Sequence, residues 1–237
     1  MDKLYMVMPA YNEEANIEQV VTSWIDVLDI CGSEGSKLVV ADSGSKDRTH
    51  EILLGLQEKH KNLVILEDTI TTHGPKLIAM YNFAIEDGAD YVFQTDSDGQ
   101  TNPKEFASFW GLRGKYDVII GTRRVRGDGF SRKIIEKVLC AILFVFFGVA
   151  VPDSNAPFRL MKADILKKYM PRFAPDYNLP NVMLTTFFAK YKENLHFHNI
   201  TFKPRQGGKN SLDLLKITKI GIKALSDFNE YRKGMRG

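Results

Sequence analysis

Residues 91–100 read Tyr91-Val92-Phe93-Gln94-Thr95-Asp96-Ser97-Asp98-Gly99-Gln100. Tyr, Val, Phe and Thr favour a strand, whereas Asp, Ser and Gly favour a turn, so a strand runs out here into an acidic turn. Two carboxylates one residue apart at a strand end repel each other unless a cation joins them. A hard cation such as Mg²⁺ or Mn²⁺ takes oxygen ligands and usually keeps positions for water and substrate phosphates. Asp96 and Asp98 therefore suit a reaction whose leaving group is a diphosphate, because a metal neutralises the charge that develops as the bond breaks. Gln100 offers a further carbonyl oxygen. A plain surface turn fits the same residues.

Outward from this point, short apolar runs alternate with amphipathic stretches. Strands are expected over residues 4–8, 37–41, 63–66, 91–95 and 118–121, and helices over 12–28, 47–58 and 76–85. Asn102-Pro103-Lys104-Glu105 looks like a helix start, with Asn capping, Pro first inside and Glu third. Such alternation predicts an α/β protein with a mostly parallel sheet and helices on both faces. Ligands then gather outside the carboxyl ends of the strands. That rule selects residues 9–13, 42–47, 96–100 and 122–124, and all four segments are polar.

The second half is less regular. A strand is expected over 195–202 and a closing amphipathic helix over 211–232. Between 133 and 151 lies an apolar helix with fourteen uncharged residues, Val138 to Val151. As a helix those fourteen span roughly 21 Å, short of the ~30 Å hydrocarbon core of a bilayer. Arg123, Arg124, Arg126, Arg132, Lys133 and Lys137 lead into it. Two readings fit. One is an interface with anionic phosphates above and acyl chains below; the other is a solvated loop followed by a core helix.

The 237 residues suit one domain, with 44% apolar and 26% charged side chains. A net charge of +3 is too mild for a nucleic-acid binder. Cys31 and Cys140 show no CxxC spacing and read as buried small hydrophobes in a reducing compartment. The first residues carry no basic and apolar leader, so no signal peptide is expected.

Two further segments carry candidate chemistry. In 42–49, Asp42 stands at a strand end, where it can accept hydrogen bonds from a nucleobase or ribose or serve the fold. Ser45 and Asp47 suit helix capping. In Pro9-Ala10-Tyr11-Asn12-Glu13-Glu14, Tyr11 can stack on a base and Glu13 can hold a ribose, while Asn12 reads as an N-cap followed by acids that the helix dipole favours.

These segments, Pro9-Ala10-Tyr11-Asn12-Glu13-Glu14, Asp42-Ser43-Gly44-Ser45-Lys46-Asp47-Arg48-Thr49 and Asp96-Ser97-Asp98-Gly99-Gln100, together resemble the inverting family 2 glycosyltransferases with the GT-A fold. The resemblance covers nearly the whole chain. Tyr116-Asp117-Val118-Ile119-Ile120-Gly121-Thr122-Arg123 and Asp153-Ser154-Asn155-Ala156-Pro157-Phe158-Arg159-Leu160 look like the Gly-Thr-Arg and Gly-Phe-Arg-Leu segments of the dolichol-phosphate mannose synthase branch and its bacterial polyprenyl-phosphate relatives. Arg205-Gln206-Gly207-Gly208-Lys209-Asn210-Ser211 is similar to that branch's Arg-x-x-Gly-x-Ser-Lys loop.

The resemblance implies roles. Pro9, Tyr11, Glu13 and Asp42 would hold the nucleoside, and Lys76 and Ser97 join the substrate-binding set. Asp96, Asp98 and Gln100 would hold Mg²⁺ or Mn²⁺ and the diphosphate, the two acids being catalytic. Arg123, Arg159 and Arg205, with Lys209, would face donor or acceptor phosphates, and Asp153 would shape the acceptor side. A single domain over 1–237 is implied, with a nucleotide-sugar-binding half over 1–122 and an acceptor-binding half over 123–237. The donor would be a UDP or GDP sugar and the acceptor a polyprenyl phosphate, at the cytoplasmic face of a membrane. Departures are Ser43 where the family often has a second acid, Pro157 for Gly, and Ser211 for the last Lys of the late loop.

The acceptor expectation has a chemical basis. A sugar hydroxyl needs a general base as it attacks. Residues 174–181 offer a single acid, Asp176, whereas a phosphate acceptor is already anionic. Asp176 remains the base if the acceptor is a saccharide hydroxyl. A sugar-nucleotide pyrophosphorylase or a dinucleotide-binding dehydrogenase would need a glycine-rich loop after the first strand, and residues 9–14 contain no glycine. A non-catalytic sugar-nucleotide-binding subunit would be expected to have lost some of the acids or arginines.

Overall fold

Strand β1 (Leu4–Ala10) is buried along its whole length. Its side chains alternate between two cores, as a pleated strand requires. Leu4, Met6 and Met8 enter one core, with Trp24 and Ile25 of helix α1 (Ile17–Cys31) and Leu53 of α2 (Thr49–Lys59). Tyr5 and Val7 enter the other, with Leu77 and Met80 of α3 (His73–Glu86) and Phe187 of α7 (Pro180–Lys190). A strand covered on both faces in this way belongs to the middle of an α/β sandwich. The computed structural model describes the backbone of residues 2–126, 130–204 and 214–235, and the side chains of 2–123, 133–204 and 223–235.

The other strands are β2 (Lys37–Asp42), β3 (Leu63–Leu66), β4 (Tyr91–Thr95), β5 (Val118–Arg126), β6 (Phe158–Lys162) and β7 (Leu195–Phe202). They form one sheet in the order β3-β2-β1-β4-β6-β5-β7. β1 pairs in parallel with β2 and β4, and β5 in parallel with β7. β6 alone runs against its neighbours, pairing Gln94 with Arg159 and Ile120 with Arg159 in register. The mostly parallel α/β sheet read from the sequence is present. The reversal has a consequence for function: the start of β6 lies at the edge where β1, β2, β4 and β5 end.

The remaining helices are α4 (Phe106–Leu112), α5 (Phe130–Phe147), α6 (Ala163–Tyr169) and α8 (Leu214–Gly234). The helix expected over 12–28 begins instead at Ile17. Asn12 is no N-cap: it takes φ 54, donates its N–H to Ser45 Oγ at 3.0 Å and accepts from Lys46 N at 2.7 Å. The first turn of the chain after β1 is thus spent on binding the β2 loop. Asn102 does cap, accepting from Lys104 N at 3.3 Å, but a 3₁₀ turn over Pro103–Glu105 comes before α4. Glu105 does not fold back on that cap; its carboxylate takes the N–H and hydroxyl of Thr201 in β7.

The apolar helix ends at Phe147 rather than 151. Gly148 adopts φ 69 and donates to Phe144 O at 2.8 Å, a left-handed stop that suits glycine. Leu143 and Phe147 face the core, and Phe228 of α8 packs on Phe147 with ring centroids 5.8 Å apart. Among the described residues no helix is long and apolar enough to cross a membrane.

Candidate functional site

Five strand termini meet at one edge of the sheet: the carboxyl ends of β1, β2, β4 and β5, and the start of β6. Hydrogen bonds tie the loops that leave them. Ser97 Oγ donates to Pro9 O at 2.8 Å, joining the β4 loop to the end of β1. Lys76 Nζ donates to Ala10 O at 2.6 Å and Ser43 O at 3.0 Å, joining β1 to β2 from beneath. Gln100 N–H donates to Asp98 Oδ1 at 3.1 Å and closes the acidic turn, while its Nε2 donates to Lys203 O at 2.8 Å.

On the β1–β2 side, Asp42 is 3% exposed. Its Oδ1 accepts from Ser45 Oγ at 2.5 Å, and its Oδ2 lies 3.2 Å from His50 Nδ1. Ser45 therefore serves Asp42 and Asn12 and does not cap α2. Nor is Asp47 the cap residue, which is Arg48; from one position earlier Asp47 accepts from Thr49 N, the first N–H of α2, at 3.0 Å. Tyr11 stands 39% exposed at the rim, with Lys76 Nζ 5.5 Å from its ring centroid. Glu13 is 6% exposed and accepts from Asn16 Nδ2 at 3.1 Å.

On the β4 side, Asp96 is half-buried. Burial, then the neighbouring charge of Asp98, drives its carboxyl well above the ordinary carboxylate range; Glu13 adds to this, and Arg123 and Arg159 pull the other way. A carboxyl in that position holds a proton near neutrality unless a cation replaces it. Among the described residues no three His, Cys, Asp or Glu side chains are gathered in ligating positions. The donor set that remains is two carboxylates, and this fits a hard divalent cation that completes its shell with water and substrate phosphate oxygens.

On the β5–β6 side, Arg123 grips Asp153 with two parallel hydrogen bonds, Nε to Oδ2 and Nη2 to Oδ1, each 2.8 Å. Such a fork fixes both planes. Glu136 of α5 reaches the same spot, 3.6 Å from Arg123 Nη2, and accepts from the N–H and the hydroxyl of Ser154 at 2.7 Å each. The apolar helix is thereby bolted to the site by an acid that sequence reasoning passed over.

Arg159, expected to face a phosphate, and Lys76, expected in the substrate-binding set, are both buried among backbone carbonyls. Arg159 is 0% exposed, and its guanidinium donates to Ala156 O, Asn181 O and Thr185 Oγ1. Lys76 is 1% exposed, burial pushes its ammonium pKa down, and its Nζ is spent on the two carbonyls above. In both, backbone carbonyls solvate the cation in place of an anionic ligand, so each acts on the site through its field and by holding the loops. Asp176 lies on an exposed turn whose charge is felt by Asp227 of α8, and no described contact brings it to the Asp96 cluster. Arg205 and Lys209 lie outside the described residues. Three residues that the sequence reading missed, Gln94, Asn181 and Tyr81, are linked to Asp96 by hydrogen bonds. Gln94 carried one signal: a polar side chain inside an otherwise apolar strand.

Comparison with known proteins adds context to this geometry. The family described as "Glycosyl transferase family 2" matches residues 5–170. The chain is 28% identical over 224 residues to an undecaprenyl-phosphate 4-deoxy-4-formamido-L-arabinose transferase of Proteus mirabilis, covering 93% of this chain and 66% of that protein. It is 27% identical over 187 residues to a UDP-N-acetylglucosamine–dolichyl-phosphate N-acetylglucosaminyltransferase of Methanococcus voltae, covering 70% of this chain and 72% of that one. The chain spans about two thirds of the length of the undecaprenyl-phosphate relatives it matches. Among solved structures, glucosyl-3-phosphoglycerate synthase from Mycobacterium tuberculosis, in complex with Mn²⁺, UDP-glucose and phosphoglyceric acid, superposes with a TM-score of 0.69 at 19% identity. That match covers 98% of this chain and 80% of the other, and it bears on the fold.

Proposed function

The chain belongs to glycosyl transferase family 2, and from that premise we propose that it moves one sugar from a UDP or GDP sugar to a polyprenyl phosphate or polyprenyl-linked acceptor. The observation that carries the reading is the pair Asp96 and Asp98, two half-buried carboxyls set side by side where β4 ends at the carboxyl edge of the sheet. The relatives named above support the acceptor class, since their names specify undecaprenyl phosphate and dolichyl phosphate.

Residues 1–122 take the donor. Tyr11 at the rim and Asp42 behind it form the nucleoside corner, with Pro9 and Glu13 beneath. Asp96 and Asp98 would hold Mg²⁺ or Mn²⁺, with Gln100 closing their loop; the metal, when bound, neutralises the diphosphate as it leaves. Residues 123–237 take the acceptor. An oxygen of the acceptor phosphate forms the new bond to the sugar's anomeric carbon while the bond from that carbon to the diphosphate breaks on the opposite face. The nucleoside diphosphate carries away the electron pair. No proton has to be removed, because a phosphate monoester is largely ionised near neutrality, its second pKa being about 6. Arg123, held by Asp153 and Glu136, stands on this side.

The acceptor's membrane enters through α5. Ile134, Val138, Phe144 and Val145 are 47%, 53%, 59% and 74% exposed, beside the exposed Lys133 and Lys137. A peripheral seat on a membrane, at its cytoplasmic face, follows from this reading.

The test is a screen of UDP and GDP sugars with polyprenyl phosphate in vesicles, reading free nucleoside diphosphate and lipid-linked sugar together. Both should appear with Mn²⁺ or Mg²⁺, disappear on chelation, and fall about 10³-fold in Asp98→Ala, the several kcal/mol a metal contributes to a phosphoryl leaving group. Full turnover after exhaustive chelation removes the metal role. Transfer to a soluble saccharide alone replaces the lipid acceptor and returns Asp176 to candidacy as base.

A further inference from the structure

The metal-binding role proposed for Asp96 leaves open what aims its carboxylate. Asp96 sits at the end of β4, and one described hydrogen bond reaches it: Gln94 Nε2 donates to Oδ1 at 3.0 Å. The glutamine amide is itself fixed. Asn181 Nδ2 donates to Gln94 Oε1 at 3.0 Å, and Tyr81 Oη donates to Asn181 Oδ1 at 2.9 Å. Gln94, Asn181 and Tyr81 are 0%, 2% and 0% exposed, so water does not compete for these bonds. The backbone of Asn181 is clamped as well, because its carbonyl accepts from Arg159 Nη1 at 3.1 Å and from Thr185 Oγ1 at 2.8 Å.

We infer that Gln94 and Asn181 are positioning residues for Asp96: a one-way chain of hydrogen bonds from Tyr81 through both amides holds one carboxylate oxygen and leaves the other for the cation. The inference rests on the metal site proposed above. Its physical basis is the amide's two ends. A buried amide can turn over and present either N–H or C=O, and the wrong end toward a carboxylate is repulsive. Here the carboxylate sets the direction: an ionised Asp96 only accepts, so Gln94 turns its NH₂ to it and its Oε1 to the NH₂ of Asn181, whose Oδ1 then takes the O–H of Tyr81. The chain draws on α3, α7 and β4, and Arg159 ties it to β6. The enclosed arginine thus has a task that contact with a phosphate would not give it: it keeps the start of α7 where Asn181 can reach Gln94. Partners of this kind behind a metal ligand typically change metal affinity by 10–100-fold when lost.

The experiment titrates Mn²⁺ into the whole chain, alone and again with UDP added, and follows free Mn²⁺ by electron paramagnetic resonance. Gln94→Met and Asn181→Leu keep side-chain volume and remove the links. Each should raise the Mn²⁺ dissociation constant about tenfold or more, and the double variant should add little, because one broken link already frees the amide. Metal-free binding of UDP should stay within twofold of the parent. Tyr81→Phe, at the far end of the chain, should give a smaller loss in the same direction, and it serves if the inner variants fail to fold. A folded Gln94→Met or Tyr81→Phe protein with unchanged Mn²⁺ affinity overturns the inference and leaves the metal site standing. Absence of Mn²⁺ binding by the parent, with or without UDP, overturns both.

Discussion

At the scale of residues, Asp42 separates binding from chemistry. It lies at the end of β2, two strands from the Asp96 turn, and is held by Ser45 and His50. A nucleoside contact there is the same before and during sugar transfer, so it contributes uniform binding. Asp42→Ala is therefore expected to raise the donor KM about tenfold, the ~1.4 kcal/mol of a charge-assisted hydrogen bond, and to leave kcat within about threefold. Steady-state kinetics with the donor varied checks this, and a kcat loss larger than the KM change moves Asp42 to the reacting centre. At this scale the sequence places some residues and hides the surroundings of others. Asp96, Asp98 and Asp42 declare their strand-end positions by following apolar runs. Arg159, expected to face a phosphate, and Lys76, expected in the substrate-binding set, turn out to be buried on carbonyls. Those carbonyls belong to Ala156 and Asn181 in one case and to Ala10 and Ser43 in the other. Their convergence is a property of the fold, and no local pattern records it.

At the scale of elements, legibility follows apolar density. β1, β2, β4 and β7 could be placed because each carries a run of strand-forming side chains. β6 was not expected as a strand: it has five residues, two of them basic, and Arg159 is buried between β4 and α7. Helix starts were misplaced for a related reason, since Asn12 spends its side chain on the β2 loop rather than on a cap. The C-terminus of α3 shows such a long-range tie at work. Asp87 caps that helix and takes side-chain hydrogen bonds from Lys37 of β2 and Tyr5 of β1. The Lys37 bond first, then the Tyr5 bond, holds its carboxyl below the ordinary 3.8. A depressed acid contributes stability that is present above the unfolded pKa and is lost as pH falls through the folded one. The pair is partly exposed, so its worth is about 1 kcal/mol or less. Asp87→Asn should therefore lower Tm by about 2–4 °C at pH 6. The difference from the parent should shrink as pH drops below about 4. Thermal unfolding across that range checks the sign; a difference that persists unchanged at pH 2.5 assigns the effect to packing.

At the scale of the whole molecule, one sheet edge gathers the loops of both proposed substrate sides because β6 runs backwards. The reversal delivers Asp153 and Ser154 to the edge where β1, β2 and β4 already end, and Glu136 then fastens α5 to them. The helix cannot leave that edge without breaking its bonds to Ser154. Its inner side chains, Leu143 and Phe147, are buried, whereas Ile134, Val138 and Val145 recur at helical spacing on the outside, with Phe144 beside them. The core reading thus holds for one face of the helix, and the other face is exposed. If that outer face meets a bilayer, each apolar side chain transferred contributes about 1.5–3 kcal/mol, and Lys133 and Lys137 about 1 kcal/mol each at an anionic surface. The sum suffices for reversible attachment that brings a lipid phosphate to Arg123, and it falls short of permanent insertion. Sedimentation with vesicles rich in anionic lipid should show binding at low salt and less at high salt, since only the lysine contribution is screened. Val145→Glu should weaken vesicle binding tenfold or more by removing apolar transfer and adding repulsion, while Tm and Mn²⁺ binding stay as in the parent. Unchanged sedimentation of Val145→Glu, or no binding by the parent at low salt, means that this face meets another protein surface and that the acceptor reaches the site from solution.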